Sequence, residues 1–359
     1  MSGGACTSRV LVVSGSVGAG HDGAAHELRD RLEGAGVTVE VRDFLDAVPG
    51  WAAWVLREGY LATSRTAPAA FEAMFRGAER NGLPLQMFRF LAHLGRAEVG
   101  RWIAATGCDV VVSTYPVSSQ CVGELRQHGA SVRALTYVTD PAVHRAWVHR
   151  AVDLHLTVTQ ASAEQGCRDH GVPMRAAGPL VPARFSTATA GRREELRREL
   201  AIPEDRPVAL LSAGSEGLGD VALTAADIAA AGWLPLVLCG RNERLAERLA
   251  AIPGAVPLGW RDDVHHLMRA ADVLVHNAGG LTLTEALVSG LPAVSYRPIP
   301  GHGRANAEAL HRSGLAPWAR SRTDLAAQLR KQASSGAVPT PPGDPTDVVL
   351  DVLAGEVTV

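Results

Sequence analysis

Lysine is almost missing from this sequence: Lys331 is the only one in 359 residues, and the other basic residues are arginines. Acidic residues slightly outnumber basic ones, giving a net charge of -2, so no overall positive field favours nucleic acid and no nucleic-acid partner is expected. Cysteine is sparse and odd in number. Cys6, Cys108, Cys121, Cys167 and Cys239 are scattered without a Cys-x-x-Cys pair, which excludes a disulfide framework and a thiolate zinc site and suits a reducing cytoplasm. No carboxylate pair has metal-ligand spacing, so no metal or resident cofactor is expected. No apolar run approaches the ~18 to 20 residues of a membrane span, and the N-terminus lacks a basic region followed by an apolar core. A protein of this kind that handles lipid does so from the surface, as a cytoplasmic protein peripheral to the inner face of the plasma membrane. No internal repeat is evident.

What is present is an alternation of strand-like apolar runs with amphipathic helical stretches, the pattern of α/β folds with parallel sheets. Strands are expected at 9–14, 37–42, 108–113, 132–138 and 153–158, and in a second series at 207–213, 234–239, 255–258, 272–276 and 292–296. The proline-interrupted run Gly178-Pro179-Leu180-Val181-Pro182-Ala183-Arg184-Phe185 separates the series and predicts an interdomain connection. The domains expected are 1–183, 184–335 and a linker with a C-terminal helix, 336–359, that packs back on the first domain. The length favours two domains over one.

Residues 44–105 break this rhythm with a long helical insertion. Nine of the 17 aromatic residues fall between Phe44 and Trp102, and residues 50–105 hold seven arginines against four glutamates. Two readings are open for it: helices packed on one another, or a surface for anionic headgroups.

Two glycine-rich stretches attract attention. Gly18-Ala19-Gly20-His21-Asp22-Gly23 follows an apolar run and spells GxGxxG, with Asp43 about 20 residues on, where a dinucleotide site carries its ribose acid. His21 is the odd residue there, since holding a pyrophosphate needs no histidine. The second stretch runs from the strand Val273–His276 through Asn277-Ala278-Gly279-Gly280 into Leu281, Thr282 and Glu285. A small-residue turn into a helix start offers main-chain amides to phosphate oxygens without any lysine. Thr282 adds a hydroxyl, and the Glu285 carboxylate has the paired oxygens to accept from two ribose hydroxyls. A loop at Gly214, Ser215, Glu216 and Gly217 covers the other side of a diphosphate. Trp260, after Gly259, lies over a base or caps the core.

Together with GSVGAGHDGAA, residues 272–310 (DVLVHNAGGLTLTEALVSGLPAVSYRPIPGHGRANAEAL) resemble the GT-B glycosyltransferases that include monogalactosyldiacylglycerol synthase and processive diacylglycerol glucosyltransferases. The peptidoglycan-precursor N-acetylglucosaminyltransferase is a more distant relative. Thr139-Asp140, His144, Trp147, Asp153 and the run from Gly171 to Phe185 match in order and spacing. The resemblance implies two Rossmann-like parallel-sheet domains facing an interdomain cleft. It implies a UDP-sugar donor in the second and a lipid or other hydrophobic acceptor on the first. By the same resemblance Glu285 is the ribose acid, Gly279, Gly280, Leu281 and Thr282 form the diphosphate turn, and Trp260 with Arg261 lies on the uracil side. Asn277, His302 and Asn306 fall to the donor as well. His302-Gly303-Arg304 stands where the family has Gln or Glu after Pro-Gly, which leaves the sugar open.

The glycines Gly18 and Gly20 then let an acceptor approach the backbone, and His21 becomes a general base that takes the proton of an acceptor hydroxyl in an inverting transfer. Asp140 is expected to orient it. A secondary-metabolite acceptor, an NAD-dependent oxidoreductase built on GAGHDG and Asp43, and a non-catalytic sugar-nucleotide or lipid sensor are the competing readings.

Overall fold

The computed structural model describes residues 8–186, 192–212, 217–277 and 279–356. Gly214, Ser215 and Glu216, expected on the donor, therefore lie outside the described residues. The chain forms two compact units, residues 1–180 with 342–359 and residues 181–341.

The first unit is built on six parallel strands, β1 (Arg9–Ser14), β2 (Thr38–Asp43), β3 (Val110–Ser113), β4 (Arg133–Val138), β5 (Leu154–Thr157) and β6 (Met174–Ala176), in the order β2-β1-β3-β4-β5-β6. The central strands β1 and β3 are near-continuous valine and leucine because helices cover both of their faces. Val10, Val12, Val110 and Val112 face one cluster with Ala24, Ala25, Leu28 and Leu32 of the helix Ala19–Gly34. Leu11, Val13 and Val111 face another, with Phe44, Leu91 and Trp102. The first cluster is completed by Val348, Val349 and Val352 of the last helix, Pro345–Ala354, whose start is capped by the Asp344 carboxylate accepting from the Thr346 amide at 2.9 Å.

The outgoing segment at 178–180 and the returning one at 342–344 cross within this unit. Gly178 (φ +91°) and Gly343 (φ +103°) both occupy the left-handed region, and a Cβ on Gly343 would stand 2.7 Å from the Ala177 carbonyl oxygen. Only glycine satisfies both demands. Arg31 ties the segments together, donating to the Pro179 carbonyl at 3.3 Å and pairing with Asp344 at 3.0 Å. Tyr137 Oη donates to the Gly178 carbonyl and accepts from the Leu180 amide, each at 3.0 Å.

Between β2 and β3 the chain makes helices at Gly50–Trp54, Tyr60–Thr66, Pro68–Glu79, Leu83–Leu94 and Arg96–Thr106, with a π-helical turn at Val55–Gly59. Their apolar residues divide between two faces. Phe44, Ala52, Leu56, Phe71, Leu85, Leu91 and Trp102 are buried, whereas Trp51, Met74, Met87 and Phe90 are exposed, with Trp54 at 62% and Leu83 at 79% of full accessibility. On Leu83–Leu94 the exposed residues Leu83, Met87 and Phe90 repeat at four and three positions, one stripe of a helix whose other side is already packed.

The second unit repeats the architecture with β7 (Val208–Ser212), β8 (Leu234–Gly240), β9 (Val256–Gly259), β10 (Val273–His276), β11 (Ala293–Tyr296) and β12 (Trp318–Ala319), all parallel, in the order β12-β11-β10-β7-β8-β9. Val181 and Phe185 pack in its core with Leu210, Leu267 and Leu287. Ten of the twelve strands coincide with expected runs to within two residues at either end. The two that escaped, β6 and β12, are edge strands of three and two residues.

Candidate functional site

In each sheet the strand order reverses next to the first strand of its unit, at β1/β3 and at β7/β10. Open parallel sheets bind ligands in the crevice at such points, beyond the carboxyl ends of the strands.

In the first unit His21 occupies that place, in the first turn of the helix after β1. Its Nδ1 lies 2.8 Å from the carbonyl oxygen of Thr114, which follows β3, and 3.2 Å from the Thr139 hydroxyl after β4. A carbonyl can only accept, so Nδ1 carries the proton and Nε2 carries the lone pair. Thr114 returns a bond from its hydroxyl to the His21 carbonyl at 3.1 Å. Tyr115 and Trp147 flank the ring, with centroids at 5.1 and 5.7 Å. Burial lowers the imidazole pKa below its ordinary value, while the charges of Asp140 and Asp22 and the bond to Thr114 pull the other way. The product is a neutral, oriented imidazole.

Asp140 does not play its expected part. Its Oδ2 accepts from Trp147 Nε1 at 2.9 Å and lies 3.4 Å from His144 Nε2, so it acts on His21 through its field while the Thr114 carbonyl sets the ring. The physical reason is geometric: the carbonyl at the end of β3 already takes the one proton that Nδ1 can donate. Thr114 was the residue missed, and a backbone acceptor leaves no mark in a sequence. His144 in turn meets Phe75 of the helix Pro68–Glu79 edge-on at 5.5 Å, and Arg145 donates its amide to the Glu79 carboxylate at 2.8 Å and its Nε to the Glu79 carbonyl at 3.1 Å. The insertion thus packs directly against the surroundings of the histidine.

The dinucleotide reading of the same glycines does not fit. Asp22 accepts from the Ser14 and Ser16 hydroxyls at 2.6 and 2.9 Å, placing a carboxylate in the helix's first turn where a pyrophosphate would need the positive end free. Asp43 accepts from the amides of Leu45 at 2.9 Å and Ser16 at 3.3 Å, a local structural role. Gly18 takes an extended conformation at the helix start, and a side chain there would meet nothing within 4 Å. Gly20 lies within the first turn.

In the second unit Gly279 is the extended residue before the helix Gly280–Val288, so the first amides of that helix have no intrahelical acceptor. Leu281 and Thr282 sit in its first turn, with the Ser212 hydroxyl 3.4 Å from that of Thr282. One turn on, the Glu285 carboxyl is pushed up to about 7 by desolvation, with Arg184 pulling it down. It has no hydrogen-bond partner among the described residues, and such a carboxylate is poised to take ligand hydroxyls. Asn277 spends its amide on the Leu218 carbonyl at 2.6 Å, joining this turn to the loop after β7. Gly217 in that loop has φ +59°. Trp260, after β9, is 57% exposed, so it does not cap the core; Arg241 lies over its ring at 4.6 Å and Asp262 accepts from its Nε1 at 3.0 Å. The Arg261 guanidinium is held by Asp263. His302 opens the helix after β11, half-buried, and Asn306 is fully buried on that helix.

Comparison with known proteins bears on the fold. Residues 21–178 match the family model of monogalactosyldiacylglycerol (MGDG) synthase. The chain is similar to a processive diacylglycerol β-glucosyltransferase from Bacillus cereus, 25% identical across 95% of this chain and 93% of the relative. In three dimensions it is similar to MurG of Acinetobacter baumannii (TM-score 0.55, 16% identity, 97% of this chain and 99% of that one). It is likewise similar to Arabidopsis thaliana UGT89C1 solved with UDP (TM-score 0.57, 14% identity, 98% and 99%).

Proposed function

We propose that this chain, a glycosyltransferase of the GT-B fold, moves a hexose from a UDP-sugar to a hydroxyl of a membrane lipid of the diacylglycerol type, inverting the anomeric carbon. The observation that carries this reading is the state of His21: Nδ1 fixed on the Thr114 carbonyl, Nε2 bearing the lone pair, and the ring held neutral by burial. An acceptor hydroxyl needs such a base. As its oxygen bonds to the anomeric carbon, the bond from that carbon to the UDP oxygen breaks, and the hydroxyl proton passes to Nε2. The charge growing on UDP is met by the amides at the start of Gly280–Val288, so the reaction needs no divalent metal.

The lipid acceptor is supported by the exposed apolar stripe of the insertion and by the names of the relatives. No helix among the described residues is long and apolar enough to cross a membrane. The insertion would rest on the membrane surface, with Trp51, Trp54, Leu83, Met87 and Phe90 in the interface and arginines toward anionic headgroups. The test is transfer from UDP-glucose, UDP-galactose and UDP-N-acetylglucosamine to vesicles containing diacylglycerol, with and without EDTA, and assignment of the product anomer by NMR. Retention of configuration would overturn the single-base mechanism; activity on soluble alcohols but not on vesicle lipid would overturn the acceptor.

A further inference from the structure

The carboxyl edge of the second sheet gives the donor a direction. Its strands run β11-β10-β7-β8-β9, with Trp260 beyond β9, the amide-rich turn beyond β10 and the Pro298–Gly301 loop beyond β11. A sugar nucleotide laid along this edge with its base at β9 and its diphosphate at β10 brings its hexose to β11. The four intervals between β9 and β11 span roughly 19 Å at about 4.8 Å per strand. What fixes the loop beyond β11 therefore bears on the hexose.

That loop is held in an unusual way. Arg297 has φ +46°, the left-handed region, and precedes a proline, which restricts it again. Such a conformation in a residue other than glycine persists only where its surroundings enforce it. Here the guanidinium donates Nη2 to Asp227 Oδ2 at 2.8 Å and lies 3.7 Å from Asp220, with its face over Tyr296 at 5.2 Å. Asp227 is buried, and its carboxylate also accepts from Tyr296 Oη at 2.9 Å and forms an ion pair with Arg322 Nε at 2.7 Å. Asp220 begins the helix Val221–Ala230 that follows the loop after β7. Arg297 thus bridges from the loop after β11 to the element after β7, passing the turn of β10.

Beyond Arg297 the loop is seated on glycines. The Ile299 amide donates to the Asn277 carbonyl at 3.3 Å. A Cβ on Gly303 would stand 2.5 Å from Ile299 Cγ1, and one on Gly219 would stand 3.4 Å from Ile299 Cγ2 and 3.2 Å from Asn277 Nδ2. The backbone therefore has one seat, and Arg297 holds the chain at its entrance.

We infer that Arg297, gripped by Asp227 and Asp220, is a positioning residue that sets the Pro298–Gly301 loop against the hexose of the donor; this rests on the sugar-nucleotide reading above. The test compares affinity for UDP, which lacks the hexose, with the KM for UDP-hexose in the full-length chain. Arg297→Gly leaves the left-handed backbone accessible without strain but removes the grip that holds it there. It should raise the donor KM about tenfold or more, leaving UDP affinity and acceptor KM within about twofold. Arg297→Lys, the milder variant, should show the same pattern at about threefold. Arg322→Ala removes an exposed partner of Asp227 and should leave the donor KM near that of the parent. Equal weakening of UDP and UDP-hexose, or no change in a variant that melts cooperatively, overturns the inference. A parent chain that binds neither UDP nor UDP-hexose overturns the donor reading itself, and this inference with it.

Discussion

His21 Nδ1 and the carbonyl oxygen of Thr114 lie 2.8 Å apart, although the residues are 93 positions apart in the chain. This one contact fixes both the tautomer and the direction of the ring's free lone pair. The pH dependence follows. Because burial lowers the His21 pKa, the acid limb of kcat/KM falls below the ordinary histidine value of 6.5. Asp140 raises that pKa, so Asp140→Asn should move the limb to still lower pH. His21→Ala should cost about 10²- to 10⁴-fold in kcat while UDP binding persists; a near-normal rate would remove the base.

With Glu285 as the proposed ribose acid, donor binding is expected to be a proton-linked event. Its carboxyl, pushed up to about 7, is partly protonated at neutral pH, and hydroxyl donors bind a carboxyl group best in its ionised form. Binding of a UDP-sugar at pH 7 should therefore release roughly half a proton. The affinity should rise with pH up to about 7 and then level off. Calorimetry in buffers of different ionisation enthalpy reads this directly. Glu285→Gln should abolish the release and weaken binding by about 1.5 to 3 kcal/mol.

The exposed stripe of the insertion predicts membrane binding that can be separated from folding. Replacing Trp54, Leu83 and Met87 together by serine removes side chains that already face solvent, so the melting temperature should change little. At about 1 kcal/mol for each half-buried side chain, partitioning onto vesicles should weaken by roughly a hundredfold. Sedimentation with anionic vesicles at low and high salt measures both contributions, and salt should weaken the arginine part.

Two buried histidines set the acid stability. Desolvation holds His155 and His276 at about 4, and both ring nitrogens of His155 lack a hydrogen-bond partner. Their folded values lie below the unfolded one of 6.5, so each favours the folded state above that pH and this stability is lost as the pH falls toward 4. Between pH 8 and pH 5 each should cost about 2 kcal/mol of unfolding free energy. His155→Leu should remove about half of that combined dependence in denaturant titrations.

The parts of this architecture that could be read in advance are those written as side-chain pattern. Val10 to Val13 and Val273 to Val275 declare buried parallel strands, and the small residues Gly279 and Gly280 declare a turn into a helix start. Met174–Ala176 and Trp318–Ala319 were not legible because strands so short carry no period. His21 stood out as a misfit among glycines, yet its true orienting partner is a carbonyl, and every residue has one. Asp140 misled for the opposite reason: its charge was visible, but not that Trp147 and His144 had already engaged it. Arg297 was silent, since nothing about an arginine before a proline announces a left-handed backbone.

The crossing at Gly178 and Gly343 also dictates an order of assembly. The second unit, 181–341, is contiguous and can close as soon as it has been synthesised. The first unit is begun earlier but lacks Val348, Val349 and Val352 until the whole of 181–341 has been synthesised, so the core that is started first is completed only after the second unit has been made.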